Sequence, residues 1–138
     1  MRLDVVDEPT PEDREALVAP LRRYNQAHGP LLEVKPLALL LRDEAGNTVG
    51  GLWGRTAYDW LYVELLAVPE GMRGSGTGSA LMRTAEAIAL ERGCIGTWLD
   101  TFAFQARPFY EKLGYSVFGE LIDHPRGSAR YFLMKRFS

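Results

Sequence analysis

Leu61-Tyr62-Val63-Glu64-Leu65-Leu66-Ala67-Val68, closed by Pro69 and followed by Gly71-Met72-Arg73-Gly74-Ser75-Gly76-Thr77-Gly78, is the most informative stretch of the chain. Its first half reads as a strand that is mostly apolar at both parities, as in a strand covered on both sides. Its second half is a turn with glycines in alternation. Glycine lets the backbone turn tightly and carries no β-carbon to block a ligand. A helix follows to Arg92, with Leu81, Ala85 and Ile88 on one stripe and Gly93 as its stop. The first amides of such a helix have no intrahelical partner, and its dipole favours negative charge there. Strand, turn and helix therefore offer a seat for a phosphate or pyrophosphate. The plainer reading is that the glycines only serve a tight turn.

Upstream, Leu3–Val6 reads as a short strand. Thr10-Pro11-Glu12-Asp13 is a helix start: a Thr cap, Pro in the first turn, and Asp three residues after the cap. Leu17, Val18, Leu21 and Tyr24 continue at helical spacing to about His28, with Pro20 positioned to break or kink the helix. Leu37–Arg42, a turn at Asp43–Asn47 and Thr48–Tyr58 form a hairpin pattern. Downstream come a strand at Ile95–Thr101 and a short helix at Gln105–Leu113 that ends on Gly114. Two last strands, Tyr115–Ile122 and Ala129–Phe137, flank Pro125-Arg126-Gly127. The order is β, α, β-β-β, α, β, α, β-β. It predicts one domain over residues 1–138 with a mixed sheet and helices on both faces.

Composition narrows the function classes. The chain has 138 residues, is 46% hydrophobic and has a formal net charge of -2. A nucleic-acid binder usually carries a basic excess, so no nucleic-acid partner is expected. Cys94 is the only cysteine, which excludes an internal disulfide framework and a Cys-rich zinc site. With only His28 and His124, a His-based metal site is also disfavoured, and no metal is expected. No stretch approaches the roughly 20 apolar residues of a membrane helix, so no membrane is expected. The apolar run at Leu3–Val6 is too short for a signal peptide, and the default location is the cytoplasm.

Three phosphate-loop patterns compete for the glycine turn. A Walker A loop needs Gly-Lys-Ser/Thr, which this chain lacks. The dinucleotide fingerprint needs Gly-x-Gly-x-x-Gly, but counting from Gly74 the last position is Ser79. The third pattern fits. Arg73-x-x-Gly76-x-Gly78, after Ala67-Val68-Pro69, resembles the acyl-CoA-binding motif of the GNAT superfamily of N-acyltransferases. Phe109-Tyr110-Glu111-Lys112-Leu113-Gly114-Tyr115 resembles the Phe-Tyr-x-x-x-Gly-Phe/Tyr signature that follows the fifth strand in that family. The element order matches from Leu3 to Phe137, nearly the whole chain.

The resemblance implies an α/β (α+β) fold of GNAT type. Its sheet is mixed and mostly antiparallel, and the fourth and fifth strands, here Leu61–Val68 and Ile95–Thr101, splay apart to take a pantetheine arm. It implies that Leu66, Ala67 and Val68 offer backbone bonds to that arm. The amides of Arg73, Gly74, Ser75, Gly76, Thr77, Gly78 and Ser79 would hold the pyrophosphate, with the Arg73 side chain on phosphate oxygens. Phe109, Tyr110 and Lys112 complete the implied cofactor set. Many members carry an Asn after the fifth strand that bonds the pantetheine. Here Asp100-Thr101-Phe102-Ala103-Phe104-Gln105 occupies that stretch, leaving Thr101 or Gln105 as substitutes.

Two side chains are candidates for the chemistry. By family position Tyr110 is the acid: a phenol near the sulfur can protonate a departing thiolate. Its plainer role is a packed aromatic. Glu64 interrupts an apolar strand, and a carboxylate there is costly unless it is paired or faces a wet cleft. In a cleft it would take a proton from the incoming ammonium; otherwise it pairs with one of the 13 arginines or faces solvent. Cys94 reads as a buried structural cysteine, and His28 and His124 as surface residues at element ends. Trp53, Tyr58 and Trp60 read either as packing or as the lining of an acceptor pocket for a cation.

The implied function is acetyl-CoA-dependent N-acetyl transfer by direct attack of a primary amine on the thioester. Backbone amides at a bulge of the fourth strand would polarise the carbonyl. The acceptor is a small-molecule amine or a protein or peptide amine, and the expected state is a monomer or homodimer. The alternative is a non-catalytic acyl-CoA-binding sensor or interaction module of the same fold, because fold does not guarantee function. A dinucleotide-binding oxidoreductase is weakened by the failed fingerprint.

Overall fold

The computed structural model describes residues 1–138, which form two compact units, Met1–Leu32 and Glu33–Ser138. In the first unit, α1 runs from Pro11 to His28. Its start is the one the sequence predicts. The Asp13 amide donates to the Thr10 hydroxyl at 3.1 Å, and the Thr10 amide donates to the Asp13 carboxylate at 2.9 Å. This reciprocal cap satisfies two amides that a bare helix end leaves open. It also holds the Asp13 carboxyl below its ordinary range, chiefly through the bond from the Thr10 backbone. Pro20 does not end the helix, which continues for two more turns. Leu3–Val6 is a correction: it forms no strand. An isolated extended segment of four residues has no stability without ladder partners.

In the second unit, six strands form one sheet in the order β1-β2-β3-β4-β6-β5. They are β1 (Lys35–Arg42), β2 (Thr48–Ala57), β3 (Trp60–Ala67), β4 (Gly96–Phe102), β5 (Ser116–Ile122) and β6 (Ala129–Arg136). Every pairing is antiparallel except β3 with β4. Parallel neighbours need a long crossover, and here α2 (Thr77–Glu91) supplies it. The sheet is mixed and mostly antiparallel, as expected.

One face of the sheet and α2 enclose the core. Leu52, Leu61, Met82, Leu99 and Leu133 are fully buried. Full burial of a side chain of this size stabilises by about 1.5–3 kcal/mol. The helix contributes Leu81, Met82, Ala85 and Ala89. Cys94 is buried in the same cluster, and burial pushes its thiol pKa up, which agrees with a structural role. The other face carries Trp60, Tyr62 and Trp98, with the Tyr62 and Trp98 rings stacked at 4.3 Å. Trp53 and Tyr58 are about half exposed.

Candidate active site

The site begins where β3 and β4 part. Their ladder runs through Trp60–Gly96, Leu61–Thr97 and Tyr62–Trp98 and ends at Val63–Leu99. Both strands continue, β3 to Ala67 on the side of β2 and β4 to Phe102 on the side of β6. Beyond Val63 and Leu99 the two facing edges are therefore free of each other, so their backbone groups are open to a ligand lying between them.

The parting coincides with a bulge. On β2, Trp53 pairs with Leu65 and Gly54 with Val63, so Glu64 has no opposite residue. A bulge residue shifts the alternation of every residue after it. Leu61 and Val63 face the core before the bulge; Leu66 and Val68 pack against it afterwards, while Leu65 is exposed. The bulge thus accounts for the apolar character of the strand at both parities.

The glycine turn builds the outer part of the cleft. A single 3-10 turn at Glu70–Met72 leads to Arg73, and Gly76 caps α2 with φ +83° and no side-chain cap. The first intrahelical bond is the Ala80 amide to the Gly76 carbonyl at 3.0 Å, which leaves the amides of Thr77, Gly78 and Ser79 without intrahelical partners. There is also no acidic residue in that first turn. The contrast with α1 is informative: one helix caps itself, whereas the other leaves its positive end open. Space beside the two glycines differs. A β-carbon on Gly76 would meet nothing within 4 Å, whereas one on Gly78 would lie 3.2 Å from Phe109 Cζ. Gly76 is needed for its left-handed backbone, Gly78 for the close approach of an aromatic ring.

The third wall is α3 (Arg107–Lys112) and the turn before it. Tyr110 is 9% exposed and borders the cleft. Its ring stands edge-on to Phe109 at 5.1 Å and to Tyr115 at 6.1 Å, which fixes its plane. The Tyr115 hydroxyl donates to Glu86 Oε2 at 2.8 Å, while Tyr110 makes no such bond. Burial, aided by the negative charge of Asp100, pushes the Tyr110 phenol up to about 12. It therefore stays protonated at neutral pH and can donate a proton.

Together these walls enclose a cleft of about 690 Å³, bordered by Leu66, Val68, Arg73, Gly74, Gly76, Thr77, Gly78, Ser79, Gln105, Phe109 and Tyr110 of the expected set. Ala67, Ser75, Thr101 and Lys112 do not border it, and each has a physical reason. Ala67 points away from the core-side phase set by the bulge. The Ser75 hydroxyl bonds to the Met72 carbonyl and to the Thr77 hydroxyl, bracing the turn. Thr101 is buried and donates to Gln105 Oε1 at 3.2 Å. Lys112 is exposed in the last turn of α3. Gln105 Oε1 also accepts from the Phe102 amide at 2.9 Å, so the side-chain NH₂ is what Gln105 has left to offer the cleft. Met72, Phe104 and Ala106 border the cleft as well and were not anticipated. Their nearness to the two motifs was the only signal in the sequence.

Glu64 is not covered by the sheet. Its side chain is 47% exposed, beside Arg55 Nη1 at 3.9 Å. Such an exposed, long ion pair contributes little to stability. It leaves the carboxylate accessible at the bulge.

Three comparisons bear on this geometry. The model of the acetyltransferase (GNAT) family matches residues 3–115. An acetyltransferase of Agrobacterium fabrum is 39% identical over 126 residues, 91% of this chain and 92% of its own. Blasticidin-S acetyltransferase of Streptomyces morookaense is 39% identical over 128 residues, 90% of either chain. A crystal structure of an acetyltransferase from Agrobacterium tumefaciens superposes with a TM-score of 0.94 at 37% identity. It covers 99% of this chain and all of that one.

Proposed function

From a chain that belongs to the GNAT family of acetyltransferases, we propose an enzyme that moves an acetyl group from acetyl-CoA to the primary amine of a small molecule. The carrying observation is the join of three features in one cleft: a strand edge freed by the splay, an uncapped helix N-terminus and a protonated phenol. The residues fit coenzyme A. An anionic pyrophosphate suits the open amides of Thr77, Gly78 and Ser79 with Arg73 beside them. The extended pantetheine suits the free edge at Leu66 and Val68, with the Gln105 NH₂ as a donor to one of its carbonyls.

The acetyl donor supplies the activated carbonyl, and the chain's own groups handle the protons. The amine nitrogen forms a bond to the carbonyl carbon, the carbon–sulfur bond breaks, and the thiolate takes the proton of Tyr110. Glu64 at the bulge takes the proton lost by the amine, directly or through water. Blasticidin S belongs on the acceptor panel because of the relative that bears its name. Polyamines, aminoglycosides, amino acids and peptides complete the panel.

Acetyl-CoA at a hundredfold excess over its dissociation constant stabilises the folded protein by about 2.7 kcal/mol. For a domain of this length the melting temperature rises by roughly 5–10 °C. Differential scanning fluorimetry with acetyl-CoA and with CoA reads it, and no shift at millimolar ligand removes the cofactor assignment. Thiol release on the amine panel then tests transfer. A thermal shift without turnover of any amine favours a binding module over an enzyme.

Gly76→Val gives a second, more local test. Valine in the left-handed region costs about 1–2 kcal/mol of stability. Its side chain would enter the cleft rather than the core, since nothing in the protein stands within 4 Å. Isothermal titration on the folded variant is expected to show CoA affinity reduced by at least about tenfold, more than backbone strain alone explains. Unchanged affinity would mean that Gly76 serves only the turn.

A further inference from the structure

We propose that Asp100 is the acceptor-binding carboxylate, holding the ammonium of the incoming primary amine at its Oδ2 oxygen; this rests on the amine-transfer reading above. Asp100 is the first residue of β4 beyond the last pair with β3, Val63–Leu99, and Glu64 is its counterpart on β3. It therefore stands at the throat of the splay, on the sheet face that carries Tyr62 and Trp98, and does not itself border the cleft. Its negative charge contributes, after burial, to raising the Tyr110 phenol.

The hydrogen bonding of Asp100 is lopsided. Arg130 donates to a single oxygen, Oδ1, from Nε at 2.9 Å and from Nη2 at 2.6 Å. An arginine that only closes an ion pair commonly forks across both oxygens of its carboxylate. Here Oδ2 is left with one long bond, from the Tyr62 hydroxyl at 3.3 Å. Each carboxylate oxygen has room for about two donors. The Asp100 side chain is only 14% exposed, an environment in which unused acceptor capacity is unfavourable.

The surroundings hold this oxygen in position. The Arg130 guanidinium lies 5.3 Å and 5.4 Å from the ring centroids of Phe102 and Phe132. The Tyr62 ring is stacked on Trp98 and lies under Arg55 at 4.8 Å. With Arg130 on one oxygen and aromatic rings around it, Oδ2 suits a compact donor with several N–H bonds, which is a primary ammonium. The acceptor class follows: an amine that is cationic before transfer, rather than an arylamine or a neutral amide. Asp100 binds the cation, and Glu64, more open and at the bulge, handles its proton.

The test uses acetyl-CoA and the amine from the panel with the highest kcat/KM. Asp100→Asn keeps the size and removes the charge. The KM for the amine should rise at least about tenfold and kcat should change less, with the KM for acetyl-CoA within about twofold. Asp100→Glu restores the charge, so it should recover part or all of the amine KM; Asp100→Ser takes the place of the Asn variant if that does not fold. An amine KM within twofold of wild type in the charge-removing variant overturns the assignment. So does a rise of both KM values together, the mark of a purely structural pair with Arg130. Wild type that binds acetyl-CoA but turns over no amine defeats the functional reading itself, and this inference with it.

Discussion

Tyr110→Phe is expected to lower the rate of acetyl transfer by about 10²-fold or more while leaving CoA binding intact. The substitution removes one hydroxyl and keeps the ring that packs edge-on against Phe109 and Tyr115. Fold and cleft shape should therefore persist, and on the proposed mechanism the loss falls on the protonation of the departing thiolate. The pH dependence carries a sign. Burial, with Asp100 secondary, pushes this phenol up to about 12. It is therefore the proton-bearing form over pH 7–10, and its titration contributes no alkaline limb there. Replacing it should scale the whole profile down rather than shift a limb. Steady-state kinetics between pH 6 and 10, beside CoA titration calorimetry, make the measurement. A rate within threefold of wild type would return Tyr110 to being a packed aromatic.

Glu64→Gln should also lower the rate near neutral pH by about 10²-fold, but with a different signature. Glutamine keeps the shape and loses the basic site. The acidic limb of the rate profile, where protonation of the base shuts off transfer, should flatten or move. Stability should change little, because the carboxylate is half exposed and its only ion pair, with Arg55 at 3.9 Å, is weak. Acetyl-CoA affinity should be unchanged, since Glu64 does not border the cleft that Tyr110 and the glycine turn enclose. An unchanged rate with an unchanged profile eliminates Glu64 as the base and leaves proton removal to water.

These two residues were legible for different reasons. Tyr110 sits inside a motif whose spacing is carried by one short helix, so local sequence was enough to single it out. Glu64 stood out as the one carboxylate in an apolar run. Of the environments the sequence left open for it, the structure shows the arginine pair and the solvent-facing position, because a bulge at that residue turns it outward. Asp100 was passed over. Its significance depends on Arg130, thirty residues away, and on Tyr62, thirty-eight away on another strand.

The sequence by itself determined what short-range physics controls. The Thr10 cap started α1, alternating glycines before an apolar stripe started α2 with an open N-terminus, and hydrophobic runs between turn residues marked the six strands of the sheet. Each depends on residues within a few positions of one another, and each is present in the structure. Tertiary structure alone decided where the β3–β4 ladder stops, which residue bulges, which members of the expected set border the cleft, and that Leu3–Val6 forms no strand. A ladder and a cleft are made by partners distant in sequence. Whether a strand pairs, or a hydroxyl such as that of Thr101 is already engaged by Gln105, depends on what the rest of the chain brings beside it.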